Sequence, residues 1–314
     1  MNPRDKGRGL LGWTIGVSLV GGLVALVHVT VGWSSLLSPW LEVDPATLAG
    51  AVVLVMISYA VRTVRVHDYF RPITSGEFFR TFRIVLVHNL LNNLLPMRSG
   101  EASFPVLMAR GFRIPYSKSV PALLYLRVLD LFFVVLLGAT GYLLSKGMLA
   151  AVLVLLLTPL PYVLFRVQPW ITAGLERKRS RLASIAREAI HGLPSSSTLF
   201  WRTWVWTGLN WSSKLLVLAW ILKAFEPMPF SAALVGSTTG ELSSVLPFHG
   251  IAGAGTYEAG VLAGLLPMGV ALESALKAAV NLHLFVLGVS ILAGTAAGMV
   301  RLPPNDAGES TGDS

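Results

Sequence analysis

Six apolar runs, each long enough to cross a bilayer, dominate this sequence: Leu10 to Trp33, then residues 46–66, 120–144, 148–165, 203–222 and 272–299. A helix of about 20 apolar residues reaches across the roughly 30 Å hydrocarbon core of a membrane. So many such runs cannot all be hidden in a water-soluble core. Composition agrees, with 54% of residues apolar and 13% charged, about half the charged share of an average soluble domain. The expectation is an all-α, polytopic membrane protein with about six full transmembrane helices. The first run follows Arg4, Lys6 and Arg8 as a signal peptide would. It is too long and lacks an A-x-A-like exit, so it reads as a retained span.

Two further apolar stretches are interrupted. Residues 84–110 run as IVLVHNLLNNLLP, pass through MRSGE and return as ASFPVLMA to Arg110, and residues 230–267 are broken by LPFHGIAGAGTYE. Pro and Gly stop helices, and bare backbone groups are tolerated at membrane depth only inside protein or beside a water-filled cavity. Both stretches therefore read as re-entrant hairpins. With the N-terminus inside, nineteen basic residues between Arg4 and Arg301, Arg62 and Arg65 among them, fall on inner segments, and the outer loops hold Lys146 and Lys223. This positive-inside bias arises only if the first broken stretch enters and leaves on the inner side. Both termini are expected inside.

The halves echo each other. LNNLLP at 91–96 returns as LSSVLP at 242–247, and Arg127 and Gly138 fall 150 residues before Lys277 and Gly288. Each half reads as span, span, hairpin, span. Three crossings per half turn the second copy upside down, giving an inverted repeat, a transporter plan with its site near the midplane. The expected division is residues 1–145 and 146–302, with a disordered polar tail at 303–314. An amphipathic helix at 176–193, basic on one face, is expected to rest on the inner surface.

The interrupted helices and the charged spans supply candidate chemistry. Ser99 and Thr256 read as N-caps of the returning half-helices, with Glu101 and Glu258 at the second helical position. A helix N-terminus at mid-membrane suits an anionic group such as phosphate, although each Glu can instead complement its own helix end. Arg127 and Asp130 stand three apart on one face of a span. A charge there costs about 2.5–3.5 kcal/mol on insertion scales, so it faces a partner or water. Arg127 then reads either as a headgroup ligand oriented by Asp130 or as half of a packing ion pair. Lys277 with Asn281, and Lys214 with Asn210, repeat a basic–amide spacing of four. Arg98, Arg127, Lys214 and Lys277 are expected to line one cavity, the alternative being that Lys214 and Lys277 snorkel to an interface; Asn92, Asn93, Glu241 and His249 are secondary candidates.

Other classes fall away. The net charge of +9 suits anionic lipid rather than nucleic acid when the basic residues sit between apolar runs. Cysteine is absent, and the histidines show no spacing or carboxylate pairing that would hold a metal, so no metal and no cofactor is expected. GIAGAGTYEAG lacks the strand and βαβ frame of a nucleotide loop. Gly260 with Gly264, and Gly294 with Gly298, have the small-xxx-small spacing of close helix contacts.

The string HNLLNNLLPMRSGEASFPVLMARG resembles the N-x-x-P-x-R-x-G-E signature of the lysylphosphatidylglycerol synthase transmembrane-region family, also called flippase-like membrane proteins. Asn92 or Asn93, Pro96, Arg98, Gly100 and Glu101 carry the match. Arg127 and Asp130 resemble the family's charged pair, and Pro247, Gly253, Gly255 and Glu258 its second, glycine-rich element. The resemblance implies a bacterial inner-membrane protein that moves lipids between leaflets. The family's bifunctional members add a soluble aminoacyl-transfer domain; this sequence reaches Ser314 without one, so the translocating part alone is expected. The expected activity is therefore a flippase for an anionic-headgroup amphiphile, a phospholipid, aminoacylated lipid or polyprenyl-phosphate-linked lipid. No ATP-binding motif is present, so transport is expected to be facilitated, ion-coupled or driven by consumption of the product. Its partners are membrane lipids, with a second copy of the chain or a lipid or glycan synthase beside them. Two rivals stay open: a membrane-embedded transferase with Glu101 or Glu258 as general base, and a non-catalytic subunit of an envelope lipid or glycan synthase.

Overall fold

The computed structural model describes residues 18, 21–163, 165–167, 170, 180, 194–244 and 251–300. It is 86% helical, with no strand among the described residues. The surface helix expected at 176–193 and the tail at 303–314 lie outside the described residues.

The main elements are α1 (Pro45–Tyr69), α2 (Phe78–Leu94), α3 (Ser103–Phe112), α4 (Tyr116–Leu144), α5 (Met148–Leu155), α6 (Ser197–Phe225), α7 (Phe230–Ser243), α8 (Thr256–Leu265) and α9 (Leu272–Met299). Local chemistry sets their ends. Asp44 caps α1 by accepting from the Thr47 N–H, with Pro45 in the first position where no N–H is needed. Ser196 caps α6 through the Leu199 N–H.

Four helices are long and apolar enough to cross a membrane, rising to six if each bent pair is one span. The four are α1, α4, Met148–Val167 and α9; the bent pairs are Gly21–Thr30 with Trp33–Glu42, at 99°, and α6 with α7, at 115°. The first span is therefore not straight to Trp33, since helix Gly21–Thr30 stops before Gly32, whose φ is 76°. Only 6% of the apolar window of Met148–Val167 is buried, so its apolar surface is left outside the bundle. The 115° corner follows from Glu226-Pro227-Met228-Pro229, because a residue before proline is pushed out of the helical region. Glu226 is accordingly extended.

The two expected breaks are present. Leu95, before Pro96, is extended and ends α2; a 3-10 segment over Pro96–Ala102 then leads into α3. Gly100 folds back so tightly on α2 that a Cβ there would lie 2.4 Å from Asn92 Cα. After α7, a short 3-10 turn at Ile251–Gly253 leads into α8. α2 packs on α3, and α7 on α8. Gly260 and Gly264 are close contacts as their spacing implied: a Cβ on Gly264 would stand 2.2 Å from Thr239 Oγ1. Gly294 likewise meets Leu90, but Gly298 touches nothing within 4 Å, a departure from the expectation.

The order α1, α2, break, α3, α4 returns as α6, α7, break, α8, α9, and the packing is reciprocal. α9 lies against α2 while α4 lies against α7, and α1 packs along α6. At the α1–α6 crossing Ser58 Oγ donates to Asn210 Oδ1 over 3.2 Å, a separation of 152 residues. Exposed Val53 and Ile57 on α1, Val128 and Val135 on α4, and Leu284 and Leu292 on α9 form an apolar outer face.

Candidate functional site

Polar side chains from α1, α2, α4, α6 and α7 converge on the inside of this bundle. They line a cavity of about 280 Å³ bounded by Arg62, Asn89, Asn92, Asn93, Glu101, Leu123, Leu124, Arg127, Asp130, Val134, Trp211, Lys214, Glu241 and Ser244. Burial of so many charges requires partners, and the network shows how most are matched.

Arg127 reaches three groups. Its Nε and Nη2 donate to Glu101 Oε2 at 3.1 Å each, its Nη1 donates to Asp130 Oδ2 at 3.1 Å, and Nη2 lies 3.3 Å from His88 Nε2. His88 Nδ1 is in turn 2.8 Å from Ser103 Oγ at the start of α3. Asp130, 4% exposed, also accepts from Arg65 Nη1 at 2.5 Å and from Trp211 Nε1 at 2.8 Å. Asp130 is thus the hub joining α1, α4 and α6, and the first broken hairpin is tied to it through Glu101 and Arg127.

Arg62 is different. It is 8% exposed and its Nη1 donates to the neutral Asn89 Oδ1 at 3.1 Å. Its Nε is buried with no hydrogen-bond partner, and no carboxylate lies within ion-pair distance of it among the described residues. The guanidinium sits 5.6 Å over the Trp211 ring. Lys214 Nζ lies 5.3 Å from the centroid of the same ring and donates to Glu241 Oε2 at 2.7 Å. The Arg62–Asn89 and Lys214–Glu241 contacts have the same spacing. Each links a cation on the first long helix to a side chain 27 residues later on the following half-helix. Where the second half has a carboxylate, the first has an amide, so Lys214 is neutralised and Arg62 is not. Asn92 Oδ1 is also buried without a partner at this cavity.

An apolar groove of about 430 Å³ between α3 and α4 adjoins the cavity. The groove is lined by Glu101, Ala102, Pro105, Val106, Tyr116, Val120, Leu123 and Leu124, so Glu101, Leu123 and Leu124 belong to both spaces.

The sequence candidates divide accordingly. Glu101, Arg127, Asp130, Lys214, Glu241, Asn92 and Asn93 meet at the cavity. Lys277 does not: it pairs with Glu226 at 3.5 Å, because the α6–α7 corner brings an acid to it. Asn281 is also elsewhere, accepting from Trp40 Nε1 and donating to the Leu36 carbonyl, each at 2.8 Å, which pins the short N-terminal helices. Glu258 is buried away from the cavity, with Oε1 2.6 Å from His283 Nδ1 and Oε2 accepting the Gly255 N–H at 2.7 Å. It is the third residue of α8, capped at Gly255, so Thr256 opens the helix rather than capping it, and its hydroxyl donates to the Gly253 carbonyl. Ser99 is exposed on the 3-10 segment, and Ala102 holds the N-cap position of α3. The Arg98 side chain and His249 lie outside the described residues.

Sequence reasoning missed Arg62, Arg65, Asn89, Trp211 and His283. Arg62 and Arg65 were assigned to an inner loop, yet α1 carries them into the bundle. The available signal was the stripe Ser58, Tyr59, Arg62, Thr63, Arg65 inside one apolar run. His283 pairs with Glu258 from a different helix, a contact that spacing along one helix does not reveal.

The family model described as Lysylphosphatidylglycerol synthase TM region matches residues 13–294. No curated protein and no solved structure matches the chain.

Proposed function

The chain belongs to the lysylphosphatidylglycerol synthase TM-region family of membrane proteins, and from that premise we propose that it moves an anionic-headgroup amphiphile between leaflets. The observation that carries this reading is the junction of the two spaces. A charged cavity and an apolar groove share Glu101, Leu123 and Leu124, a shape suited to a molecule polar at one end and apolar at the other.

In this reading the headgroup enters the cavity and its phosphate takes the free donors of Arg62. An acyl chain lies along α3 and α4 in the groove, in contact with lipid. Arg127 is held by Glu101 and Asp130 and so remains fixed in place, while Arg62, without a carboxylate partner, supplies the positive charge. The reciprocal packing and the shared 27-residue contact support two inverted repeats, about residues 1–145 and 146–302, that rock around this point. Polar headgroups cross hydrocarbon slowly because a charge at the bilayer centre is costly; a protein-lined polar site removes most of that cost. We place the protein in a plasma membrane, the inner one in a bacterium, with both termini inside, on the strength of the basic inner segments.

The test is reconstitution into phosphatidylcholine vesicles carrying a fluorescent phosphatidylglycerol, with dithionite quenching to read leaflet exchange. Exchange above protein-free vesicles, with the lipid's mass unchanged, is expected. Leu124→Trp, which fills the shared wall, should suppress it while leaving the fold intact. No exchange above background across anionic headgroups would overturn the reading.

A further inference from the structure

The second broken hairpin holds a buried acid–base pair that headgroup binding does not use. His283 on α9 and Glu258 on α8 are 5% and 3% exposed, with Nδ1 and Oε1 2.6 Å apart. Tyr257 stacks on the imidazole, centroids 4.6 Å apart. Its hydroxyl is buried and has no hydrogen-bond partner among the described residues. This hydroxyl end lies against the α7 backbone, since a Cβ on Gly240 would be 3.1 Å from Tyr257 Cζ. A small cavity of about 30 Å³ joins Tyr257 and His283 to Asn93, Lys214 and Glu241. That is room for a water molecule with several polar partners. Lys214 and Glu241 line the main cavity too, so one ion pair forms the wall between the two spaces.

We propose that His283 and Glu258 form a proton-binding site coupled to the headgroup cavity through the small cavity beside Tyr257 and the Lys214–Glu241 pair. The proposal rests on the lipid-moving reading and adds its energy source. A proton taken by the neutral imidazole gives an imidazolium whose Nδ1–H donates to the Glu258 carboxylate. Passage toward the main cavity conserves bonds: a water in the small cavity accepts the proton from the imidazole side and gives one up on the Glu241 side. When an anionic headgroup draws Lys214 toward itself, Glu241 is left as an unpaired buried carboxylate, a costly state. The proton leaving His283 neutralises it. Anion and proton are therefore carried together.

The groups facing the pair are accounted for element by element. α8 supplies Tyr257 and the Gly255 N–H, and α7 supplies Glu241, itself paired to Lys214 of α6. Tyr59 of α1 lies close enough to act electrostatically on Tyr257. Among the described residues His283 is the group at which an added proton has a carboxylate already in place.

Two measurements test the site. The first is NMR titration of ¹⁵N-histidine protein in phosphatidylcholine vesicles, with the His283 signal assigned by its loss in His283→Gln. The signal is expected to switch between neutral and imidazolium forms as the pH is lowered; a signal that keeps one form at every pH at which the protein stays folded overturns the proposal whether or not lipid moves. The second imposes a two-unit pH gradient on vesicles with fluorescent phosphatidylglycerol. One proton per lipid drives the leaflet ratio up to about 100-fold away from the acidic side. Wild type should show this bias, and His283→Gln and Glu258→Gln should equilibrate the lipid without it. Wild-type exchange indifferent to the gradient, or bias retained in folded His283→Gln, overturns the coupling. If wild type exchanges no lipid, the lipid-moving reading fails by itself and the titration alone decides the proton site.

Discussion

Asn89→Asp converts the first half's cation–amide contact into the ion pair that the second half already contains. The new carboxylate oxygen stands where Asn89 Oδ1 is, 3.1 Å from Arg62 Nη1. At an effective dielectric of roughly 20, opposite charges at that distance attract by about 5 kcal/mol. Burying the carboxylate costs several kcal/mol, so attraction and desolvation nearly cancel and the fold should be as stable as wild type. Binding should not survive so well. A phosphate on the far side of the guanidinium, about 6 Å from the new carboxylate, is repelled by about 3 kcal/mol on the same scale. That corresponds to about 100-fold in affinity. The assay compares exchange of fluorescent phosphatidylglycerol and phosphatidylcholine in vesicles, with detergent unfolding as the stability control. Anionic-lipid exchange should fall about 100-fold, and Asn89→Leu, which keeps Arg62 uncompensated, should stay within a few-fold of wild type. The reasoning fails if folded Asn89→Asp moves phosphatidylglycerol at the wild-type rate, or if Asn89→Leu is equally impaired, since shape rather than charge would then be the cause.

Asp130→Asn leaves Arg65 without its acid, and should lower stability by about 3–5 kcal/mol in SDS-titrated micelles. Combining it with Arg65→Met should recover most of that loss, and an unaltered single mutant would show that the hub is not electrostatic. Lys277→Ala removes a rim pair with Glu226; exchange should be unchanged, and a large loss would return Lys277 to the cavity. Gly264→Leu forces a side chain into a site where a Cβ already meets Thr239 Oγ1 at 2.2 Å and Gly236 Cα at 3.0 Å. It should destabilise by at least about 1–3 kcal/mol, measured by the same unfolding titration, and wild-type stability would mean that α7 and α8 separate freely.

What could be read from the sequence was set by local physics. Runs of apolar residues declare spans, and Pro96 or the glycines before Thr256 declare breaks, because each acts through its own backbone. Arg127 and Asp130 were legible as a pair since three residues along a helix fix their neighbourhood. Contacts between helices were not. Lys277 occupies the position that matches Arg127 in sequence, yet the corner after α6 delivers Glu226 to it. Arg62 looked like a loop charge because a basic residue near the end of a span satisfies the same inside-positive rule whether it faces water or a buried cavity. Its orientation depends on Asn89 and Trp211, 27 and 149 residues away, and no periodicity within α1 encodes them.

The two halves share a scaffold but not a chemistry, and the difference bears on direction. A machine with identical sites in opposed repeats would treat the two leaflets alike. Here the first hairpin's acid, Glu101, grips a permanently charged arginine, whereas the second hairpin's acid, Glu258, faces a histidine that can gain or lose its charge. At the next level the asymmetry is reversed: Arg62 has a neutral partner and Lys214 a charged one. On the proposals above, one half offers a fixed positive site to an anion, and the other a site to a proton. On the two-repeat reading, substrate and proton are assigned to different copies of one fold, with Lys214 and Glu241 on the wall between them. Exchanging the roles is then a discriminating test. Glu241→Gln frees Lys214 and should raise gradient-independent exchange of anionic lipid while abolishing the response to pH. Loss of both, in a variant that folds, would mean that the pair serves packing and that the asymmetry has no directional consequence.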